Sequence, residues 1–445
     1  VSTSPTTIST PLPFEEFPEL SEFELSILSS PYLIETDLVV PESKILKIQP
    51  GVILKFKPGG QAGFSFEING TLLAEGTPEK PIVFTSTEDP EYKGEETEID
   101  SSKGWRKIHF TASSQNSKLE NVIVRYGGRK KGHEKGSMIM VEDSHIELKN
   151  STLEKSFGTF LLLENSTSTL ENITVRDSSV DAIEILGGAP TIKDSRFLNT
   201  GAILIGDHSQ AQILNNYFEG IISPNGVIWV TDSTPLLKDN KGQNNNVNGI
   251  YIQGRVDKNW HLFKNESNLP YIIGPQETWE ISKDVILTIE PGTIFKLGSH
   301  GKIEVNGTLK AQGKEAEKII FTFLLDSDFG GVTIETATST QIYKYYWDEI
   351  HFTPSSQNSI LEHTILRYGG KPKSSGHPFS NGTVYIENAT STQIISSLFE
   401  NMEKGVKIDG DWPKIESLEF NNVSCPIEKD GECYLDPQTL CFPKL

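Results

Sequence analysis

The sequence has no long apolar run, an excess of acidic over basic residues and few signals for α-helix. Its 445 residues include 40 Lys and Arg against 60 Asp and Glu, which gives a formal net charge of −20. That balance argues against a nucleic-acid partner, because no basic stripe is present to neutralise phosphates. No apolar run approaches the roughly 18–20 residues of a membrane-spanning helix. We therefore expect no nucleic-acid partner and no membrane span.

Cysteine is almost absent, and all three cysteines fall in the segment 425–445. Cys425, Cys433 and Cys441 are crowded into a tail punctuated by Pro and Gly, which predicts one local disulfide and an oxidising compartment. A zinc site is less favoured, because no His lies nearby at ligand spacing. The sequence leaves open which two cysteines pair.

Asn-x-Ser/Thr sequons are more frequent than chance predicts, which favours a secreted glycoprotein with N-linked glycans. Asn150 and Asn172 are expected to be buried at a corner of a repeat, and Asn69 and Asn306 recur in a duplicated NGTL motif. The chain begins at Val1 rather than at Met, which we interpret as a processed chain. The favoured glycan sites are Asn165, Asn265, Asn381, Asn388 and Asn422.

One long segment of the sequence occurs twice. IHFTASSQNSKLENVIVRYGG at 108–128 returns as IHFTPSSQNSILEHTILRYGG at 350–370. Upstream, FEINGTLLAEGTPEKPIVFT at 66–85 returns as IEVNGTLKAQGKEAEKIIFT at 303–322. Such a duplication indicates two copies of one structural module.

A shorter repeat runs inside each copy. The corner residues Asn150, Asn172, Asp194 and Asn215 follow one another at steps of 22, 22 and 21 residues. Short alternating segments such as GAILI at 201–205 are typical of strands separated by turns. A period near 22 with about three strands per repeat predicts a solenoid whose coils stack in parallel around an apolar interior. The Asn and Asp residues would then stack at a corner and satisfy turn backbone groups.

These motifs resemble the right-handed parallel β-helix proteins of the pectate-lyase-like superfamily, and in style the secreted microbial surface proteins of that fold. The resemblance covers roughly residues 31–424 and implies an all-β fold, a right-handed parallel β-helix solenoid of two tandem duplicated modules. It implies no single activity, because lyases, hydrolases, epimerases, adhesins and structural proteins share this architecture. The predicted domains are a Ser/Thr/Pro-rich tail with a candidate pairing strand (1–30), a first β-helix module (31–268), a second module (269–424) and a Cys-containing tail (425–445).

The resemblance also suggests where to look for an enzyme, since relatives that cleave acidic polysaccharides carry Asp, Arg and Lys on one sheet face, often with calcium. The nearest equivalent is a set on successive coils of the first module, namely Arg176, Asp177, Asp181, Arg196, Asp207, His208 and Asp232. This set matches no catalytic motif of the family, and the net negative charge disfavours a polyanionic substrate unless calcium bridges it. The enzyme interpretation is therefore the less favoured one. No cofactor is expected, with calcium at the acidic insertion 87–100 as the alternative.

The duplicated segment repeats three side chains that could belong to a site, and they are Trp105 and Trp347, His109 and His351, and Arg125 and Arg367. We expect the tryptophans to pack where an insertion rejoins the coil. The histidines alternate with apolar neighbours and should project from a sheet face. The arginines are expected to pair with acidic groups near the following loop.

A different insertion, at 326–347, distinguishes the second copy and ends in Tyr343, Tyr345, Tyr346 and Trp347. One interpretation is an arm folded back on its own solenoid. The other is a self-association surface, because exposed aromatic residues are enriched at protein interfaces.

The beginning of the sequence offers a second candidate for self-association. EFELSIL at 22–28 alternates like a strand and places Phe23, Leu25 and Ile27 on one face. The open end of a β-helix invites further strand pairing, so this segment either caps its own solenoid or pairs with a neighbouring molecule. We therefore favour a secreted structural glycoprotein that partners itself, assembling through its termini into an extracellular filament or cell-surface layer. The alternatives are a polysaccharide-active lyase or hydrolase and a carbohydrate-binding adhesin.

Overall fold

The chain is built almost entirely from short β-strands. A computed structural model describes residues 6–8, 12, 19–59, 62–92, 99–266, 269–331, 333–334, 346–370 and 382–434. Within these ranges the helical segments are three single 3₁₀ turns, at Ile27–Ser29, Pro90–Tyr92 and Ser101–Lys103. None of the helices in the described ranges is long and apolar enough to cross a bilayer. The chain divides into two compact units, Val1–Pro224 and Asn225–Leu445.

The first unit contains three parallel sheets. Sheet 1 comprises β1, β3, β6, β9, β12, β15, β18, β21 and β24, sheet 2 comprises β4, β7, β10, β13, β16, β19 and β22, and sheet 3 comprises β2, β5, β8, β11, β14, β17, β20 and β23. The bounds of these strands are β1 Thr6–Ile8, β2 Glu22–Leu25, β3 Tyr32–Ile34, β4 Leu38–Val40, β5 Ile45–Ile48, β6 Ile53–Phe56, β7 Phe66–Ile68, β8 Thr71–Glu75, β9 Ile82–Ser86, β10 Ile108–Phe110, β11 Ser117–Glu120, β12 Val122–Arg125, β13 Ser137–Glu142, β14 Ile146–Lys149, β15 Thr152–Glu154, β16 Thr159–Glu164, β17 Thr169–Glu171, β18 Thr174–Arg176, β19 Ile183–Leu186, β20 Thr191–Lys193, β21 Arg196–Leu198, β22 Ile203–Gly206, β23 Gln212–Leu214 and β24 Tyr217–Glu219.

The interior is a set of stacked apolar columns. In sheet 3, Leu148 pairs with Leu170, Leu170 with Ile192, and Ile192 with Ile213 on successive coils. All four side chains are fully buried. Because side chains alternate across a strand, one inward residue per short strand fills the coil and its neighbours face outward. The predicted parallel solenoid with an apolar interior is confirmed.

Each coil passes from sheet 3 to sheet 1 through one residue in the left-handed conformation. Asn150, Asn172, Asp194 and Asn215 occupy this corner with φ between 50° and 53°. Their side chains bond from coil to coil: the Asn172 Nδ2 donates to Asn150 Oδ1 at 2.7 Å, and the Asn215 Nδ2 to Asp194 Oδ1 at 2.7 Å. The predicted corner stacking is confirmed.

The expected burial of Asn150 and Asn172 is wrong, because both side chains are exposed. A residue with positive φ at a corner directs its Cβ away from the interior, so the amides meet along the outer surface of the coil. Asn and Asp tolerate this conformation better than other residues that carry a Cβ.

The second unit begins with β25 Ile228–Thr231, β26 Leu236–Lys238, β27 Lys241–Gln243, β28 Ile250–Gln253, β29 Arg255–Val256, β30 Trp260–Leu262, β31 Tyr271–Ile273, β32 Thr278–Ile281, β33 Ile286–Ile289, β34 Ile294–Leu297 and β35 Lys302–Val305. It continues with β36 Thr308–Gln312, β37 Ile319–Phe323, β38 Ile350–Phe352, β39 Ile360–Glu362, β40 Thr364–Arg367, β41 Val384–Glu387, β42 Gln393–Ile395, β43 Leu398–Asp409, β44 Lys414–Glu416, β45 Glu419–Lys429 and β46 Glu432–Tyr434. Its parallel ladders run β31-β34-β37-β40-β43, β32-β35-β38-β41-β43 and β30-β33-β36-β39-β42-β44. The predicted module boundary after residue 268 remains a prediction.

The last described strand reverses direction. β46 pairs antiparallel with β45, with Glu428 opposite Cys433. A disulfide joins Cys425 to Cys433 across this hairpin. The structure therefore contains the one local disulfide that the sequence predicts, and Cys441 lies outside the described residues.

The left-handed corner can be tested at Asn215. Valine is strongly disfavoured at positive φ and cannot bond Asp194, so we expect Asn215→Val to lower the free energy of unfolding by about 2 kcal/mol. Asn215→Gly loses the same hydrogen bond without the steric cost and should lose less than half as much. Urea denaturation of the three proteins measures the difference. Equal losses for the two variants would show that φ does not constrain this corner.

Candidate functional site

The residues considered for catalysis in the first unit lie at three different corners. Arg176 is the last residue of β18 in sheet 1, and Asp177 follows it. Arg196 is the first residue of β21, also in sheet 1, where the chain arrives from β20 of sheet 3. Asp207 and His208 follow β22 in sheet 2. Asp181 lies in the turn between β18 and β19, and Asp232 follows β25 in the second unit. Within the first unit, the structure does not bring the other six side chains together into one site.

Both arginines of this set have structural partners instead. The Arg176 guanidinium contacts the Glu154 carboxylate at 2.6 and 2.9 Å. The Arg196 guanidinium lies 5.3 Å from the ring centroid of Tyr217, on the next coil. Both contacts join neighbouring coils, as expected of side chains that stabilise the stack.

A buried ion-pair cluster anchors the insertion of the first copy. Arg125 is almost fully buried, and its Nε lies 3.4 Å from Asp89 Oδ2 and 3.2 Å from Glu154 Oε1. The Thr85 hydroxyl donates to the same Asp89 oxygen at 2.5 Å, and Arg125 also pairs with Glu91. The expected pairing of this arginine with acidic groups is confirmed. Asp89 and Glu91 thus face a guanidinium. Glu88 and Asp100 accept hydrogen bonds from Thr87 and Ser102, and Glu95, Glu96 and Glu98 lie outside the described residues.

The second copy repeats this cluster around Arg367. Its NH1 lies 3.0 Å from Asp326 Oδ2, its NH2 2.9 Å from Asp328 Oδ2, and its Nε 3.2 Å from Glu400 Oε2. The Thr322 hydroxyl donates to Asp326 at 2.5 Å, as Thr85 does to Asp89 in the first copy. Burial makes such a cluster sensitive to loss of one partner, because the remaining charge would be left without compensation.

The other repeated side chains are also structural. The indole nitrogens of Trp105 and Trp347 donate to the carbonyls of Arg125 and Arg367 at 2.8 and 2.7 Å, and both rings are fully buried. The predicted packing role of the tryptophans is confirmed.

The histidines lie on outer sheet faces, as predicted. His109 Nε2 is 3.1 Å from Glu142 Oε2, and His351 Nε2 is 3.0 Å from Glu387 Oε2. Burial, followed by the charge of Lys107, lowers the pKa of His109, which disfavours its charged form near neutral pH.

The described start of the second insertion folds back on its own unit. A buried lysine, Lys296, donates from Nζ to the Asp326 carbonyl at 2.8 Å, the Gly331 carbonyl at 2.7 Å and Thr333 Oγ1 at 2.7 Å. Further along the insertion, Ile334 forms an isolated antiparallel β-bridge with Val247. The folded-back interpretation is confirmed for residues 326–331 and 333–334, whereas Tyr343 and Tyr345 lie outside the described residues and Tyr346 is partly buried.

The candidate self-association strand belongs to the fold of its own molecule. β2 is the terminal strand of sheet 3 and pairs with β5, so that Phe23 lies opposite Leu46 and Leu25 opposite Ile48. Leu25 is buried and therefore unavailable as a side-chain contact for a partner. Of the two alternatives for this segment, capping of its own solenoid fits the geometry of β2.

Exposed apolar side chains remain beside this cap. Ile27 is 41% exposed and Leu28 is 84% exposed, on the 3₁₀ turn that follows β2. We call these two residues the apolar turn. Sequence alternation indicated Ile27 but missed Leu28, because the strand ends at Leu25 and the turn rotates the next side chains away from the sheet. No Gly or Pro lies within residues 26–29 to mark this turn in the sequence.

The end of the second unit presents an aromatic pair. Trp412 and Tyr434 are both partly exposed, and their rings meet edge to face with centroids 5.5 Å apart. Tyr434 is held at the end of the disulfide-bonded hairpin of β45 and β46. Aromatic side chains fixed in this way supply contact area at low conformational cost.

The glycan candidates differ in accessibility. Asn165, Asn388 and Asn422 have exposed side chains, whereas Asn381 lies outside the described residues. Asn265 is buried, and its Nδ2, the atom to which a glycan would attach, donates to the Tyr271 hydroxyl at 3.1 Å. Burial of this amide disfavours a glycan at Asn265 in the folded protein.

Two family models match overlapping parts of the chain. A pectate-lyase like beta helix domain matches residues 21–200, and a right handed beta helix region matches residues 137–268. No curated protein matches the chain. With the parallel sheets described above, these matches establish the fold and its handedness, and the fold itself is shared by enzymes and structural proteins.

Lys296 makes the stability of the second unit depend on pH. Burial lowers the pKa of Lys296 to about 8, against an ordinary value of 10.5. Between these values the unfolded chain holds a proton that the folded chain has released, so stability rises with pH across this window, by on the order of 3 kcal/mol.

We expect Lys296→Met to remove that pH-dependent increment and to unfold more easily at pH 7, where three hydrogen bonds are lost. Lys55→Met is the matched control, since Lys55 holds the equivalent place in the first copy and its Nζ donates to the Tyr92 carbonyl at 3.1 Å. Urea midpoints from pH 7 to 10.5 measure both. A Lys296→Met protein that retains the wild-type rise would show that another group carries it.

Proposed function

The chain is a right-handed parallel β-helix repeat protein, and we propose that it is a secreted structural glycoprotein that partners itself through its termini. In this proposal the apolar turn of one copy docks on the Trp412–Tyr434 pair of the next. The contact joins unlike surfaces, so it does not close on itself and extends into an extracellular filament or cell-surface layer.

The observation that carries the proposal is the exposure of the apolar turn. The large apolar side chains that the described residues expose are Ile27, Leu28 and Ile222. Ile27 and Leu28 are adjacent and lie beside the capping strand β2 of the first unit. Leu25 of the same strand is buried. Burying such a pair against an aromatic surface removes apolar area from water, which stabilises association.

An extracellular location is consistent with the disulfide and with the accessible sequons. The bond between Cys425 and Cys433 fixes the hairpin that holds Tyr434, and such bonds persist in oxidising compartments. Exposed Asn165 and Asn388 lie at left-handed corners, where a glycan could extend into solvent without disturbing the sheets. We propose that these two and Asn422 are the glycosylated positions.

A polysaccharide-active enzyme is less well supported. The residues considered for catalysis in the first unit occupy three corners, and Arg176 is already paired with Glu154. Catalysis by paired acidic groups requires them to face one substrate across a few ångströms.

The proposal is tested by Leu28→Glu, which places a charge in the apolar turn without touching the core. Loss of one buried leucine contact of about 2 kcal/mol should weaken association about 30-fold. Ile222→Glu is the matched control, because Ile222 is exposed to 44% outside the proposed contact. Trp412→Ala should weaken association as Leu28→Glu does.

Sedimentation velocity over a concentration series, with electron microscopy of the same samples, gives the measurement. Polymers of the intact chain that Leu28→Glu and Trp412→Ala abolish, but Ile222→Glu does not, would support the contact. Single particles of the intact chain at every concentration would overturn it. These point variants are preferable to deletion of residues 1–30, which would remove β2 and uncover Leu46 and Ile48.

A further inference from the structure

A groove of about 350 Å³ lies on the first unit, beside the loop that joins β12 to β13. Its lining includes two lysines, two acidic residues and apolar side chains, among them Lys130, Lys135, Asp181, Glu184, Phe157 and Val180. The self-association proposal does not use this groove, and of the residues considered for catalysis only Asp181 lines it. Its volume is at the lower end of the range for small-molecule sites.

Glycines form one wall of the groove and explain why it exists. A Cβ added at Gly158 would lie 2.4 Å from the Gly136 carbonyl oxygen and 2.5 Å from that of Gly128. The backbones at Gly128, Gly136 and Gly158 therefore pack directly against one another. This close packing allows the loop 129–136 to leave the coil and return beside it. Lys130 and Lys135 stand on this loop with exposed side chains.

The charges in the groove are not all paired with one another. Lys135 forms an ion pair with Glu184, whose side chain is almost buried. The Asp181 carboxylate accepts no hydrogen bond and forms no ion pair within the described part of the chain, although it is partly buried. Among the same residues, Lys130 has no ion-pair partner either. Burial, followed by the charge of Glu184, raises the pKa of Asp181, and the charge of Lys135, which is paired with Glu184, only partly offsets this. The ionised form of Asp181 would therefore gain from a closer cationic partner.

We propose that this groove binds a small zwitterionic ligand that carries an ammonium group and a carboxylate. The ammonium would pair with Asp181 and the carboxylate with Lys130, while the body of the ligand rests against Phe157 and Val180. A neutral ligand would desolvate both charged groups without giving either a partner. The free ends of a short peptide and an amino sugar joined to a uronic acid both have this chemistry.

Isothermal titration of the full chain with matched ligands tests the proposal and separates the two sources. The peptide arm uses glycyl-leucine, its N-acetyl form and its C-terminal amide. The saccharide arm uses a glucosamine–glucuronic acid disaccharide and a neutral disaccharide of glucose. We expect one zwitterionic ligand to bind at least tenfold more tightly than its N-acetyl, amide or neutral counterpart.

Variants assign each charge. Asp181→Asn should remove the advantage of the free ammonium, so that the zwitterion and its N-acetyl form bind alike. Lys130→Met should in the same way remove the advantage of the carboxylate. Lys131→Met is the matched control, because Lys131 is exposed on the same loop but does not line the groove.

Three results would overturn the proposal. They are no binding of either zwitterion, equal binding of neutral and zwitterionic ligands to the intact chain, and equal effects of Lys131→Met and Lys130→Met. Circular dichroism and the urea midpoint of each variant establish that it is folded, so a loss of binding reports on the groove. The result does not depend on self-association, since Leu28→Glu should bind the ligand as the intact chain does.

Discussion

The stacking of one coil on the next is the interaction on which the rest of the structure depends. A strand of about three residues has too few hydrogen bonds to persist alone, and it is stable because identical positions on both neighbours pair with it in parallel. Each coil must therefore return to the same register, as Leu148, Leu170 and Ile192 do. The left-handed corner is the means of return, since it turns the chain sharply at one residue. An Asn at that corner donates a hydrogen bond to the Asn or Asp at the same corner of the coil before.

Insertions threaten this register, and the duplicated clusters show how the chain accommodates them. Near the start of each insertion lies an aspartate, Asp89 or Asp326. It is held by a threonine of the preceding strand and an arginine of the following coil. The charged groups fix where the chain leaves the coil and where it rejoins. Buried ion pairs contribute little net stability compared with apolar packing, but they penalise any other placement of the loop. Duplication of the whole arrangement indicates that loop placement, more than loop sequence, is what the two copies share.

Much of the fold could be predicted because its determinants repeat. The spacing from Asn150 to Asn215 gives the coil length and the corner, and the recurrence of RYGG predicts the arginine anchors at Arg125 and Arg367. Burial of the corner asparagines was predicted wrongly, because periodicity shows that residues stack but not on which side of the backbone. The exposure of Leu28 was not predicted, because it depends on a single 3₁₀ turn that is not part of any repeat. Cys441 and the tyrosines at 343 and 345 lie outside the described residues, so the expectations for them remain predictions.

Chemically distinctive surfaces arise in this protein where the repeat is broken. Along a regular column, each outward side chain meets a similar neighbour one coil away, and charges there pair with each other, as Arg176 does with Glu154. Asp181 and Lys130 escape this pairing because the loop 129–136 has no counterpart on the adjacent coil, and Gly136 and Gly158 let it approach. The apolar turn likewise lies where β2 ends, and β2 is the first strand of sheet 3 among the described residues. In a solenoid the repeated positions supply stability, and recognition of a partner or ligand must come from positions that do not repeat.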